Sequence, residues 1–258
     1  RAIDSGIQRI AIEKPLSDNC AEAAKLLKLV QTKNIRVVVN HGRDYSPNYT
    51  RLPQIAKDHG LGELHSIHVG VGAAGMGCVG IHYIRLANAL FGSKPKNVYA
   101  LPTTPREKNP RGEQYDDPGA TAILSYPGER RAVIEISDHT GIPPFITLQY
   151  ETGRIIIENE GKPWRIQARP KEDRDASLTR YGIPLQETAY PDFVNFGIVD
   201  MARACLQDAL SDEPPVCGMI KGLEAMETYH AIRLSMDSGQ VINMNKALPA
   251  LETRYAIP

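Results

Sequence analysis

Two side chains able to give or take a proton stand out: Lys14, where a short apolar run ends abruptly, and His82, where a small-residue stretch opens into a helix. Lys14 belongs to Glu13-Lys14-Pro15, which closes the apolar run of residues 10–12. That run fits a short strand covered on both faces, and Ser17 and Asp18 beyond it supply an N-cap for a following helix. In open α/β sheets ligands gather outside the carboxyl ends of strands, so a lysine there either meets a ligand or simply solvates a strand-to-helix turn. His82 lies in a segment, residues 75–92, that opens on small residues and continues as a helix. Glycines at 75, 77 and 80 let another backbone or a ligand approach closely, and the first turn of a helix favours anions and a neutral imidazole. Imidazole titrates near neutral pH, which suits His82 to acid–base work. Arg85, three residues on, shares its helix face. The competing reading makes His82 a satisfied core histidine and Arg85 a surface charge.

The elements that must position these groups follow from periodicity. Residues 17–33 carry Cys20, Ala23, Ala24, Leu27 and Val30 at helical spacing, with lysines on the other face. Residues 35–39 form a β-branched strand that ends in the polar turn Asn40-His41-Gly42-Arg43. Strand, helix, strand makes a βαβ unit, and parallel strands would bring Lys14 and residues 40–43 to one sheet edge. A second helix starts near Leu52, with Pro53 in its first turn and Gly60 at its end. After Gly62 come short β-type runs at 64–71, 97–101, 120–126, 132–137, 145–150 and 154–158, with a hairpin turn at 150–154, which predicts one mostly antiparallel sheet. A helix from Val79 through Leu90 to Gly92 interrupts the sheet. Two later helices are expected at 192–210 and 221–238, with a final strand at 240–244. Residues 103–118 read as a surface loop or lid and 171–189 as irregular. Residues 2–6 read as a helix end stopped by Gly6. With Arg1 first and a strand so soon after it, further sequence upstream is expected.

The 258 residues balance 30 basic against 30 acidic side chains, leaving no electrostatic footprint for nucleic acid or an anionic membrane. A small molecule or a second copy is the expected partner. Cys20, Cys78, Cys205 and Cys217 form no C-x-x-C pair and lie in segments that read as buried, which predicts reduced thiols in a cytoplasm-like compartment. No run approaches the ~20 apolar residues that span a bilayer, and no leader pattern precedes the fold. No metal-ligand set is read.

Taken together, these segments resemble the Gfo/Idh/MocA oxidoreductases, a family that includes inositol dehydrogenase and glucose-fructose oxidoreductase. The family's E-K-P at a Rossmann strand end matches Glu13-Lys14-Pro15, and its next strand and turn look like Val39-Asn40-His41-Gly42-Arg43. Its G-x-x-G-x-I boundary resembles the stretch from Gly60 through Gly62, its G-x-H helix matches Gly80 and His82, and its S-x-x-S-G-x-x-V ending looks like Ser235, Ser238 and Gly239. Each motif alone is weak, and their joint order and spacing are specific.

The resemblance implies α/β plus α+β architecture: a partial Rossmann domain with a parallel βαβ unit over residues 1–61, then a mostly antiparallel open-sheet domain for substrate binding and oligomerisation over 62–258. It implies an NAD- or NADP-dependent enzyme moving a hydride between a sugar, cyclitol or related hydroxy compound and nicotinamide. Lys14 and His82 would be catalytic. Glu13, Lys14, Pro15, Asn40 and Arg43 would face the cofactor, and Lys14, Tyr45, Cys78, His82 and Arg85 the substrate. A homo-oligomer joined through the antiparallel sheet is implied too. Two departures matter. Family dehydrogenases commonly have aspartates four residues before and three after the histidine, where this chain has Cys78 and Arg85. The G-x-G-x-x-G dinucleotide turn is also missing; Gly70, Gly72 and Gly75 fit it by letter but open no helix within a βαβ unit. That leaves the activity of this polypeptide alone open, and a non-catalytic sugar- or dinucleotide-binding regulator on the same fold is the alternative.

Overall fold

The computed structural model describes residues 3–72, 75–105 and 108–258. Strand β1 (Arg9–Ile12) leads through helix α1 (Cys20–Thr32) to β2 (Arg36–Val39), and the two strands pair in parallel with Ile10 opposite Val37 and Ile12 opposite Val39. This is the expected βαβ unit. Successive side chains of a strand alternate between faces. Val37 and Val39 therefore enter the main core while Val38 turns to a separate cluster with Cys205 and Ala209, so the β-branched run is buried on both sides. In β1, by contrast, Ile10 and Ile12 are half-buried and Ala11 is exposed, because β1 is an edge of a two-stranded sheet rather than the doubly covered strand expected. The α1 cap also differs: Asn19, not Ser17 or Asp18, accepts the Glu22 N–H at 2.8 Å.

Short helices α2 (Pro47–Thr50) and α3 (Leu52–Asp58) lead to β3 (Leu64–Gly72). A π-type turn (Met76–Gly80) then runs into α4 (Ile81–Phe91), which ends at Gly92 with φ 66°. Strands β4 (Asn97–Pro102), β5 (Ala120–Ser125), β6 (Arg131–Ser137), β7 (Phe145–Tyr150), β8 (Gly153–Ile157), β9 (Arg165–Ala168) and β10 (Gln186–Ala189) follow. Helices α5 (Ile198–Leu210) and α6 (Met219–Ser238) and the short β11 (Ile242–Asn243) complete the chain. Among the described residues, nine strands form one sheet in the order β10-β9-β8-β7-β3-β6-β5-β4-β11, in which only β3 and β6 run parallel. Helices α4 and α6 pack on one face, and Ser235 ties α6 to β4 by accepting the Ala100 N–H at 2.9 Å while donating to the Gln240 carbonyl at 2.6 Å.

Several boundaries differ from expectation. Helix α5 starts at Ile198, six residues later than expected. Strands β9 and β10 were not expected: both span four residues, β10 is exposed throughout, and β9 buries only Ile166 and Ala168. Their register brings Glu187 within 2.8 Å of Arg165 and 2.7 Å of Gln167, so cross-strand polar pairs take the place of an apolar signal. After β10 the chain returns to its beginning: α5 packs against β1 and β2, and the Cys217 carbonyl accepts the Val39 N–H at 2.7 Å. Of the N-terminal helix end, Ile3–Ser5 form one tight turn before Gly6, and Ala2 lies outside the described residues, as do Ala73 and Ala74 of the rejected glycine turn and Arg106 and Glu107 of the loop after β4. No helix among the described residues is long and apolar enough to cross a membrane. All four cysteines are buried free thiols.

Candidate active site

The carboxyl ends of β1 and β2 lie side by side, with the Asn40 N–H bonded to the Ile12 carbonyl at 2.9 Å. Just beyond, Asn40 Nδ2 donates to Glu13 Oε1 at 2.7 Å and joins the two strand ends. Lys14 Nζ donates to the Cys78 carbonyl at 2.5 Å. That contact crosses from the first sheet to the turn ahead of α4, four residues before His82. Burial lowers the Lys14 pKa, opposed by the nearby Cys78, Glu13 and Asp117 and reinforced by Arg111.

His82 faces His41, the residue after Asn40, with ring centroids 5.9 Å apart in an edge-on arrangement. Burial, then the charges of Arg43 and Lys14 and the neighbouring His41, push the His82 imidazole well below its ordinary value. His41 is pushed down to about 3 by burial and by Arg85, Lys14 and Arg43, and its Nδ1 has no hydrogen-bond partner among the described residues. Both rings are therefore neutral at physiological pH, in contrast to the near-neutral titration expected for His82. His41 escaped the sequence reading as a site residue, since nothing in a polar turn marks which side chain points inward.

The remaining candidates sort by what holds them. Arg43 makes a two-pronged ion pair with Glu160, Nε–Oε1 2.8 Å and Nη2–Oε2 2.5 Å, donates to Tyr83 Oη at 2.7 Å, and stacks 4.2 Å from the Tyr83 ring centroid. Tyr49 donates to the same Glu160 at 2.6 Å. Arg43 thus stands next to His82 with its donors engaged by protein groups. Arg85 is bonded to Asp44 at 2.8 Å, with side chains 6% and 5% exposed, so it is an interior ion pair and neither a surface charge nor a free arm for substrate. Tyr45 points elsewhere, donating to Asp208 at 2.9 Å, where Arg36 also binds. Asp117, at the end of the loop read as a lid, is a buried carboxylate against the Gly77–Cys78 turn, and no sequence pattern singled it out. A cavity of about 480 Å³ is lined by Arg43, Arg85, Asn88, Lys221 and Glu224 among others; Lys14 and His82 do not line it.

Lys14 and the Glu13–Asn40 pair present polar groups outside the strand ends, a donor set compatible with the nicotinamide end of a dinucleotide, and the orphaned His41 Nδ1 marks an incompletely satisfied polar interior. The turn from β1 to α1, residues 13–19, holds no glycine, so the cradle for a pyrophosphate is not formed there.

No protein-family model matches the sequence, and no curated protein matches it. Solved structures do. The chain superposes on an NAD-binding oxidoreductase from Klebsiella pneumoniae with TM-score 0.72 and 18% identity, covering 95% of this chain and 76% of that one. UDP-N-acetylglucosamine 3-dehydrogenase from Acidithiobacillus ferrooxidans gives 0.72 and 17%, with coverages of 92% and 73%. Aldose-aldose oxidoreductase from Caulobacter crescentus, solved with glycerol, gives 0.70 and 14%, with coverages of 94% and 74%. At such identities the likeness is one of fold, and this chain folds as those oxidoreductases do, the fold that its resemblance to the Gfo/Idh/MocA type implies.

Proposed function

We propose that this chain forms the substrate side of an oxidoreductase that uses NAD or NADP to oxidise or reduce a hydroxyl-bearing carbon of a sugar, cyclitol or related compound. The observation that carries this reading is the Lys14–Cys78 contact, which brings a strand-end lysine to the turn leading into the His82 helix. When bound, the nicotinamide supplies the hydride chemistry. Lys14 donates a hydrogen bond to the reacting oxygen, and its lowered pKa eases deprotonation. His82, held neutral, takes the hydroxyl proton on a ring nitrogen during oxidation and returns it during reduction. Glu13, Pro15 and Asn40 hold the cofactor side of the cleft. Arg43 acts on His82 through its charge, and Tyr45 and Arg85 maintain the scaffold. Cys78 contributes its carbonyl.

The reading extends to assembly. Leu101, Ile123 and Phe145, exposed at 54%, 39% and 41%, lie on the sheet face opposite α4 and α6, where a second copy would cover them. A second reading, a non-catalytic sensor of sugar or dinucleotide, is favoured by Cys78 and the Asp44-bound Arg85 at positions where family dehydrogenases are commonly acidic. Full-length protein incubated with NAD or NADP and a panel of sugars and cyclitols separates the two: reduced nicotinamide accumulates if it is an enzyme. Binding without any turnover across the panel would favour the sensor.

A further inference from the structure

The last residues of the loop that follows β4 turn inward. Asp117 is 4% exposed, and its carboxylate accepts the Gly77 N–H on Oδ1 and the Cys78 N–H on Oδ2, each at 2.7 Å. Tyr229, from α6, donates its hydroxyl to Oδ1 at 3.3 Å. Space for the carboxylate exists because two residues lack a side chain: a Cβ on Gly75 would stand 2.2 Å from Oδ2, and one on Gly77 3.0 Å from Oδ1. Burial pushes the Asp117 carboxyl up, while the two N–H groups, Arg233 and Tyr229 favour its charged form. A desolvated carboxylate persists only with such donors around it.

Cys78, fixed through its N–H, directs its carbonyl to Lys14 Nζ at 2.5 Å. Carboxylate, turn and ammonium thus form one continuous hydrogen-bonded chain from the loop to the end of β1. We propose that Asp117 is a positioning residue for Lys14: by pinning residues 77 and 78 through their N–H groups, it aims the Cys78 carbonyl at the ammonium and places a negative charge behind that contact. The consequence for turnover rests on Lys14 being the group that holds the reacting oxygen, whereas the contact itself stands apart from that reading.

The charged and titratable groups facing Lys14 are Glu13 from its own strand end, Cys78 from the turn, Asp117 and Arg111 from the loop, and the rings of His41 and His82. Glu13, Cys78 and Asp117 favour the ammonium, and burial and Arg111 oppose it. Asp117→Asn keeps the shape, removes the charge, and turns one acceptor oxygen into a donor facing an N–H.

Competitive acetylation with trace acetic anhydride, read at the Lys14 peptide by mass spectrometry across alkaline pH, reports the Lys14 titration without any need for activity. In Asp117→Asn the midpoint is expected to fall, because a carboxylate that favours the ammonium is removed. In full-length enzyme kcat is expected to fall about tenfold with KM little changed, as for an interaction made at the reacting centre. An unmoved midpoint in a folded variant overturns the proposal. If Lys14→Met retains turnover, the catalytic reading of Lys14 fails and, with it, the consequence for turnover, while the acetylation midpoint still decides the contact. Should Asp117→Asn fail to fold, amide hydrogen exchange of the wild type decides instead: slow exchange at Gly77 and Cys78 is expected, and rapid exchange at both overturns the pinning.

Discussion

Arg43 and Glu160 face each other across the junction between the β2 end and the β8–β9 turn, joined by bonds of 2.8 Å and 2.5 Å. A fork-to-fork pair of this kind carries direction as well as energy. It holds Tyr49 and Tyr83 in the same network and sets a fixed positive charge beside His82.

Glu160→Gln should therefore destabilise the protein by about 3 kcal/mol, because it leaves the Arg43 guanidinium largely buried without its counter-charge. Burial alone would raise the Glu160 carboxyl, and the Arg43 charge and hydrogen bonds reverse this, holding it below its ordinary value. A depressed carboxyl contributes stability that is present above its unfolded pKa and disappears as pH falls through the folded one. Urea unfolding at neutral and acid pH checks both statements: the gap between wild type and variant should narrow as the pH is lowered.

The two histidines respond to acid for a different reason. His41 is held at about 3 against an ordinary 6.5, so the unfolded chain binds a proton that the folded chain refuses between those values. Stability then declines as pH drops below 6.5, by about 2 kcal/mol for His41 by pH 5, with His82 adding in the same direction. His41→Gln should flatten that decline in a pH series of denaturant midpoints, and an unchanged slope would show that His41 is protonated in the folded state.

Lys14→Met and His82→Ala should each lower turnover by a hundredfold or more, roughly the contribution of a positioned acid–base group. Melting temperatures within a few degrees of wild type would show that the loss is chemical. Near-normal activity in both variants would remove the proposed mechanism.

The helix and strand pattern was legible wherever periodicity was strong. Residues 20–32 show an apolar stripe, β3 to β6 show alternation between faces, and β7 and β8 show continuous buried runs. Residues 165–168 alternate over only four positions, too short a run to stand out, and 186–189 are exposed throughout and pair through polar side chains. Lys14 could be found because a strand end names a place in space. Asp117 could not: its role depends on a glycine-made gap some 40 residues away in the chain, and no local pattern encodes that. The spacing of Arg85 put it on the His82 face, but its pairing with Asp44 rather than with a substrate was set by tertiary packing.

Asn19→Ala should cost about 1 kcal/mol, since it removes the side-chain acceptor of the Glu22 N–H at the start of α1. Ser17→Ala, at a position that sequence pattern favoured for the cap, should cost much less. Thermal denaturation of the two variants side by side tests that order, and a reversal would move the cap back to the earlier residue.

Cys78→Asp is the most discriminating change at the site. Cys78 is 4% exposed and its backbone already serves Asp117 and Lys14, so a new carboxylate there would add an anion beside the ammonium without moving the turn. Lys14 should then keep its proton to higher pH, and the alkaline limb of the rate profile should move upward with it. The second carboxylate also sits near Asp117, and like charges in a buried site raise one another's pKa, so some stability should be lost at neutral pH. A pH profile of kcat together with a melting curve separates the two effects. An alkaline limb that stays in place in a folded Cys78→Asp variant would mean that Lys14 does not set that limb.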